Sequence, residues 1–90
     1  MQDGLNKNWH VVSKVTDDKK HSILLRSFSF PDFAEALQFV NKVGAIAEQQ
    51  QHHPDITLRW GEVVVQTWTH SEAEITDKDT ALAKAIDAIS

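Results

Sequence analysis

The chain has 90 residues, no cysteine and a net charge of −4 at pH 7. Without cysteine there are no disulfides, thiolate metal sites or cysteine nucleophiles, and nine scattered Lys and Arg residues argue against a nucleic-acid-binding face. No apolar run approaches the roughly 18 residues of a membrane span, and no signal-peptide pattern opens the chain, so we expect a cytoplasmic protein with no membrane partner.

Apolar and polar residues alternate in four short segments, which is the period of a half-buried strand. Two longer segments repeat their apolar residues every three or four positions, as amphipathic helices do. In chain order, the predicted elements are strands over 9–15 and 23–30, a helix over 31–51, strands over 56–60 and 63–70, and a helix over 77–89. This β-β-α-β-β-α order is two hairpins, each followed by a helix. It predicts a single α+β domain over 1–90, with two helices on one face of a four-stranded antiparallel sheet.

Local signals mark the ends of both predicted helices. Pro31 suits a first helical turn, and Asp32 with Glu35 three positions later resembles a capping box. The first helix should end before Pro54, because proline disfavours α geometry in the residue that precedes it. Thr76 is the predicted N-cap of the second helix.

The second hairpin carries the geometry that bears on function. Gly61-Glu62 fits a two-residue turn with glycine at its first central position. That turn places Trp60 opposite Val63, and the same register continued backwards places His53 opposite His70. Directly opposed residues have Cβ atoms about 4.5–5.5 Å apart, so these two imidazoles are expected to share one small site. A longer loop or a bulge would shift the pairing.

Further polar residues are expected near this pair. His52 leaves the first helix beside it, and Glu48 lies four residues before His52 on one helical face. Asp79 shares the buried stripe of the last helix near its N-terminus, where the helix dipole favours an aspartate. Asp79 could also be a structural cap, and both interpretations stay open. Three imidazoles with an open position also resemble a catalytic zinc shell, although adjacent histidines in a strand-like segment point apart.

The remaining histidines and the tryptophans are assigned structural places. His10 and His21 are predicted to lie at the surface of strands. The tryptophans predicted in the core or on a sheet face are Trp9, Trp60 and Trp68. Trp68 alternates with His70 on one strand face, so it is also a candidate wall of the pocket.

One set of residues runs at fixed spacings through the second half of the chain: Glu48, His52, His53, Pro54, Trp60, His70 and Asp79. The order is a polar residue, three positions, His-His-Pro, five positions, an aromatic, nine positions, His and a nearby Asp. This pattern resembles the signature of the pterin-4a-carbinolamine dehydratase family. The resemblance covers roughly 9–89, which is nearly the whole chain.

The resemblance implies loss of water from 4a-hydroxytetrahydropterin to give quinonoid dihydropterin, which recycles the pterin used by an aromatic amino-acid hydroxylase. It implies no metal and no organic cofactor. The catalytic residues that it implies are His52, His53 and His70. The substrate-binding residues that it implies are Pro54, Thr69, Ser71 and Glu72, with Glu48 and Asp79 in supporting positions. It also implies a homodimer or homotetramer, which the exposed sheet edges of a short chain favour as well.

Histidine suits this chemistry because its reference pKa of about 6.5 lets it donate or accept a proton near neutral pH. The 4a-oxygen needs a proton donor and N5–H needs an acceptor. Our hypothesis assigns these roles to His52 and His70, with His53 binding and orienting the substrate. Which of the two is the acid stays open.

Two positions depart from the family pattern. Ser71 stands where an acidic residue often follows Thr-His, and Glu74 stands where glycine is common in the next loop. Both touch the rim of the expected pocket, so they are expected to lower activity or change the substrate. They motivate a second hypothesis, a non-catalytic pterin-binding or dimerisation module of the same fold.

Overall fold

A computed structural model of the protein describes residues 6–90. In chain order its elements are the strands β1 (His10–Thr16) and β2 (Lys19–Ser29), helix α1 (Phe33–Gln50), strands β3 (Asp55–Arg59) and β4 (Glu62–Thr67), and helix α2 (Asp77–Ile89). The strands form one antiparallel sheet in the order β1-β2-β4-β3. The predicted α+β class and element order are confirmed. Residues 1–5 of the expected domain lie outside the described part.

The core lies between the two central strands and the helices. Leu24 and Phe28 of β2 and Val63 and Val65 of β4 alternate along their strands and are buried. The helical side chains buried with them are Ala36, Phe39, Val43, Leu82, Ala83 and Ile86. Helix α1 contacts α2, β3 and β4, so the helices lie over the β4 side of the sheet. Within residues 6–90, neither helix has the length and apolarity that crossing a bilayer requires.

Helix α1 begins and ends where the sequence signals lie. The Asp32 carboxylate accepts a hydrogen bond from the Glu35 N–H at 2.9 Å, which caps the helix. At the other end, Gln51 adopts the left-handed conformation with φ 54° and ψ 41°. The His52 N–H then donates to the carbonyl of Ala47 at 3.1 Å, which closes the last turn. The chain therefore leaves the helical path just before the two adjacent histidines.

Helix α2 has the predicted N-cap. Thr76 is extended, and its N–H donates to the carboxylate of Asp79 at 2.9 Å, completing a capping box. The observed bounds of α2 agree with the predicted helix over 77–89.

The first hairpin turns more tightly than predicted. Asp17 and Asp18 have φ angles of 53° and 63°, and Thr16 pairs with Lys19. Two consecutive positive φ values define a type I′ turn, whose twist matches that of the flanking strands. Strand β2 therefore begins at Lys19, earlier than the strand predicted over 23–30.

The predicted register of the second hairpin is wrong. Arg59 pairs with Glu62, so the turn is centred on Trp60 and Gly61 and does not place Trp60 opposite Val63. Strand β4 also ends at Thr67, short of the predicted 63–70. His53 and His70 are therefore not a cross-strand pair.

A contact from another strand explains the position of Gly61. Its carbonyl accepts a hydrogen bond from the N–H of Phe30 at 2.9 Å. A Cβ at this position would lie 3.0 Å from the carbonyl oxygen of Phe30. The glycine therefore allows close approach of two backbones, rather than the positive φ of a type II′ turn.

Two predictions about aromatic and imidazole side chains are also wrong. His21 is only 8% exposed, because Trp68 of the neighbouring strand segment stacks on its ring. Trp60 is 69% exposed, since the corrected register puts it at the tip of a hairpin. Trp9 is buried in the core and His10 is exposed, as predicted.

Candidate active site

A cavity of about 370 Å³ opens where the end of α1, the start of α2 and the segment after β4 meet. Its lining residues are Gln51, His52, His53, Trp68, Thr69, His70, Ser71 and Lys78. The predicted clustering of His52, His53 and His70 is therefore confirmed, although not by the predicted strand register. The volume lies within the range of about 300–1,000 Å³ that is typical of small-molecule sites.

A larger cavity of about 620 Å³ lies at the other end of both helices. Its Arg26 guanidinium forms an ion pair with Asp87 at 2.6 Å, and the indole N–H of Trp9 donates to the same carboxylate at 2.8 Å. The Asp87 carboxylate is thus engaged in joining β2 to α2. The histidine-lined cavity is the better candidate for chemistry because it combines imidazoles with a buried carboxylate.

His52 is fixed by the buried carboxylate of Asp79. Its Nε2 lies 2.5 Å from Oδ1 of Asp79, and the His52 side chain is mostly buried while Asp79 is fully buried. The contact joins the residue that follows the end of α1 to the first turn of α2. The corresponding prediction placed Glu48 beside His52, but the helix ends at Gln50, and Glu48 reaches a different histidine.

Asp79 is held by a full set of donors. Oδ1 accepts from the Thr67 hydroxyl at 2.5 Å, and Oδ2 accepts from the Thr69 hydroxyl at 2.8 Å and from the Thr76 N–H at 2.9 Å. Burial by itself raises the pKa of this carboxyl. The hydrogen bonds from Thr67, Thr76, His52 and Thr69 outweigh burial, so the pKa of Asp79 is lowered from its ordinary value. Asp79 is therefore an anion at neutral pH.

The charge of Asp79 determines the tautomer of His52. An ionised carboxylate only accepts hydrogen bonds, so the 2.5 Å contact requires a proton on Nε2 of His52. Nδ1 is then the ring nitrogen that remains for a proton transfer. A positive charge on this ring would lie beside a buried anion, as in the acid–base dyads of hydrolases.

His53 has a more exposed partner. Its Nε2 contacts Oε2 of Glu48, and both side chains are largely exposed. An exposed pair of this kind adds little to stability. It does restrict the imidazole to one edge of the cavity, where Nδ1 is again the free nitrogen.

His70 lies in a compact loop after β4. The Thr69 N–H donates to the carbonyl of Glu74 at 2.9 Å, and the Ala73 N–H donates to the carbonyl of His70 at 3.3 Å. Ala73 has φ 54°, a left-handed value that closes the loop. These backbone bonds return the chain from β4 to the start of α2, and they leave the His70 side chain exposed at the cavity.

Three rings are stacked at this side of the cavity. The His70 ring lies 4.5 Å from that of Trp68 at an interplanar angle of 26°, and Trp68 lies 5.1 Å from His21 at 19°. Trp68 thus stacks with both imidazoles and is itself part of the cavity lining.

The other predicted site residues have distinct places. Ser71 is exposed and lines the cavity. Glu72 is exposed on an adjoining cavity of about 320 Å³. Pro54 is half-buried between His53 and the start of β3. Thr69 lines both cavities, but its hydroxyl is engaged with Asp79 and with the hydroxyl of Thr76 at 2.6 Å.

The sequence reasoning missed Thr67, Gln51 and Lys78. Thr67 could have been found, because it lies on the same strand face as the buried Val63 and Val65, at the next second position along β4. That face is directed towards the buried stripe that contains Asp79. Lys78 directly precedes Asp79 and lines the cavity from the first turn of α2. Gln51 has no local signal, since its left-handed conformation is one that favours glycine.

The donor atoms do not form a metal shell. Within residues 6–90, no group of three or more His, Asp or Glu side chains is arranged to hold a metal ion. The reason is visible in the contacts: Nε2 of His52 and Nε2 of His53 each face a different carboxylate. The zinc alternative therefore gains no support from this geometry.

Fold and site together define a small α+β protein with an open pocket, in which a carboxylate-bound histidine faces further imidazoles. The family model described as pterin 4 alpha carbinolamine dehydratase matches residues 1–89. The chain belongs to this family.

Two relatives show the range of the similarity, and both carry the name "putative pterin-4-alpha-carbinolamine dehydratase". A Rickettsia bellii protein is 44% identical over 66 residues, which are 73% of this chain and 58% of the relative. A Rubrobacter xylanophilus protein is 43% identical over 81 residues, which are 90% of this chain and 69% of the relative. The match thus spans less than two thirds of the Rickettsia protein's length.

Two solved structures share the fold. The Brucella melitensis protein described as a transcriptional coactivator/pterin dehydratase has a TM-score of 0.75 and 31% identity, covering 92% of this chain and 82% of that one. A pterin dehydratase-like protein described as a RuBisCO assembly factor in the alpha-carboxysome has a TM-score of 0.74. Its identity is 20%, over 93% of this chain and 90% of that one, so it supports the fold alone.

Proposed function

We propose that this chain removes water from 4a-hydroxytetrahydropterin by histidine general acid–base catalysis. The observation that carries the proposal is the pair of His52 and the buried Asp79, at 2.5 Å, beside a cavity that His53 and His70 also line. Membership of the family supports the substrate class.

The reaction moves two protons and breaks one C–O bond. A general acid protonates the 4a-hydroxyl, which leaves as water. The nitrogen lone pair at N5 forms the C4a=N5 double bond, and a general base removes the N5 proton, which gives quinonoid dihydropterin. The acid loses the proton that the base gains, so the enzyme as a whole returns to its starting charge.

The contacts favour His52 as the base and His70 as the acid. When Nδ1 of His52 takes the N5 proton, the imidazolium that forms lies beside the anionic Asp79, which stabilises it. The carboxylate contacts within residues 6–90 go to His52 and His53 and not to His70, so we assign His70 to the proton donation at the leaving oxygen. His53 and Ser71 line the same cavity, and we assign them to binding the pterin.

The chemistry is tested by a dehydratase assay on freshly generated 4a-hydroxytetrahydropterin. General acid–base assistance is typically worth about 10²–10⁴ in rate. We expect His52→Ala and His70→Ala each to slow turnover at least about tenfold, with water and the remaining histidines limiting the loss. The double variant should lose more than either single one.

The matched control is His10→Ala, because His10 is an exposed strand histidine outside the cavity lining. It should leave turnover unchanged, and so should a chelator such as EDTA. Far-UV circular dichroism should show that the variants are folded. Wild-type turnover by the double His52/His70 variant, or loss of activity on chelation, would contradict the proposal.

A second candidate function is a non-catalytic pterin-binding or dimerisation module. It is favoured by Phe33 and Leu37, two apolar side chains that stand exposed on α1, and by the departures at Ser71 and Glu74. Retained pterin binding without turnover in the wild-type chain would identify this function.

For both candidate functions we also propose a cytoplasmic location. Fractionation of the cells that make the protein tests it.

A further inference from the structure

The three catalytic candidates are oriented in different ways. His52 and His53 each contact a carboxylate through Nε2. Within residues 6–90, the His70 ring makes no side-chain hydrogen bond, and its contact is the stack on Trp68 at 4.5 Å. An exposed imidazole with no polar partner rotates among several rotamers unless packing selects one. The plane of His70 is therefore selected by the indole beneath it.

The indole stacks in turn with a second imidazole. His21 lies near the start of β2, and its ring is nearly parallel to that of Trp68, at 5.1 Å and 19°. Trp68 is half-buried and comes just after the last residue of β4, so regular strand pairing does not fix its backbone. The His21 ring therefore packs on the same indole that contacts His70.

The chemistry of His21 indicates that its shape matters more than its polarity. It is 8% exposed, and its Nε2 is buried without a hydrogen-bond partner in the described part of the chain. A buried polar atom without a partner is unfavourable for folding, so such an atom calls for an explanation. A flat ring of this size at this place keeps Trp68 parallel to His70.

We propose that His21 and Trp68 are positioning residues of the pterin site, which fix the imidazole plane of His70. The inference rests on the proposed function, in which His70 handles a proton. His21 does not line the cavity, so it acts through the stack and not on the substrate. A misaligned His70 weakens proton transfer in the transition state more than substrate binding, so the effect belongs in kcat rather than in KM.

The test compares two apolar replacements of similar bulk, His21→Phe and His21→Leu. Only phenylalanine retains a flat ring, and neither retains the imidazole nitrogens. We expect His21→Leu to lower kcat about tenfold with little change in KM, and His21→Phe to stay within about twofold of wild type. The exposed His10→Leu is the matched control and should change neither parameter. Equal losses of kcat in the Phe and Leu variants would overturn the proposal.

A second readout does not depend on turnover. In the NMR spectrum, the ring current of Trp68 should shift the His70 ring protons upfield, and these signals are identified by their loss in His70→Ala. The shift should persist in His21→Phe and shrink in His21→Leu, and an unchanged shift in His21→Leu would overturn the proposal. If a position-21 variant fails to fold, Trp68→Phe against Trp68→Leu makes the same comparison at the middle ring. An inactive wild type would reject the proposed function alone, because the NMR comparison still decides the positioning role.

Discussion

At the scale of single residues, Asp79 connects more of the site than any other side chain described above. Its two oxygens accept hydrogen bonds from Thr67, Thr69, Thr76 and His52. One of these bonds caps α2 and another fixes a histidine at the cavity. The two interpretations of Asp79 that the sequence leaves open, a structural cap and a partner of the site, are therefore both correct as contacts.

Replacement of Asp79 by asparagine should cost both stability and activity. The amide presents a donor where the carboxylate has an acceptor, so at least one of the bonds to Thr67, Thr69, Thr76 or His52 is lost. Leaving a buried donor unpaired typically costs about 1–3 kcal/mol. Urea unfolding should report this loss for Asp79→Asn. The control Asp77→Asn, at an exposed position of the same helical turn, should stay close to wild type.

The stability of the fold should also depend on pH through Asp79. Its pKa is lower in the folded state because the hydrogen bonds outweigh the effect of burial. The unfolded chain therefore binds the proton more readily, and the stabilisation is fully present above the pKa of the unfolded chain. It is lost as the pH falls through the lower folded-state pKa. Unfolding free energy measured against pH should show a decline in acid that is smaller in Asp79→Asn, and equal declines would contradict this account.

At the scale of elements, the tight turn of the first hairpin has a backbone conformation for which its two residues are not the preferred ones. Type I′ turns prefer Asn-Gly, whereas this chain has Asp17 and Asp18 at φ 53° and 63°. The left-handed conformation is sterically unfavourable for a residue with a Cβ, and glycine has none. The turn is therefore less stable than it could be.

The change Asp18→Gly should stabilise the protein by about 0.5–1 kcal/mol, because glycine adopts a positive φ without steric cost. Asp18→Ala removes the same carboxylate but keeps a Cβ, so it should not stabilise. Thermal and urea unfolding of the two variants separate the backbone effect from the charge effect. Equal stabilisation by glycine and alanine would assign the gain to charge.

Elements with local signals could be predicted from the sequence, and contacts between distant elements could not. Helix α2 starts at a capping box whose members, Thr76 and Asp79, lie within one turn of each other, so its bounds follow from a few consecutive residues. The register of the second hairpin depends on the approach of Gly61 to the backbone of Phe30, which no local pattern contains. That is why the predicted pairing was wrong.

The same limit applies to the site. The cluster of His52, His53 and His70 could be predicted because the chain brings both ends of the second hairpin together in any antiparallel register close to the correct one. The partner of each histidine could not be predicted, since Gln51 redirects the chain after α1. The burial of His21 was missed because the ring that covers it, Trp68, belongs to a distant segment.

At the scale of the whole molecule, the sheet formed within residues 6–90 ends in two edge strands, β1 and β3. On β1, Val11 and Val15 are 48% and 66% exposed, because the helices lie over the half of the sheet that contains β4 and β3. An edge strand with exposed apolar residues is a template for pairing with another chain. These observations support the prediction of a homodimer or homotetramer.

Light scattering at micromolar concentration should therefore give a mass of two or four chains. Val15→Lys should shift the mass towards one chain if β1 forms the contact, because a charged edge residue opposes strand pairing. Thr57→Lys makes the corresponding change at an exposed, uncharged residue of the β3 edge and tells the two edges apart. A clean monomer mass for the wild-type chain would contradict the prediction of an oligomer.

The double use of Asp79 has a consequence for sorting similar sequences into enzymes and non-enzymes. A chain that gives up pterin chemistry still needs a cap for α2 and an acceptor for the hydroxyls of Thr67 and Thr69, so an aspartate at this place is compatible with either state. The His52 side chain is not needed to end α1, because the bond that closes the last turn is donated by the His52 backbone N–H. Its imidazole instead lines the cavity. Under the proposed function, the histidine is thus an informative marker of activity and the aspartate is not.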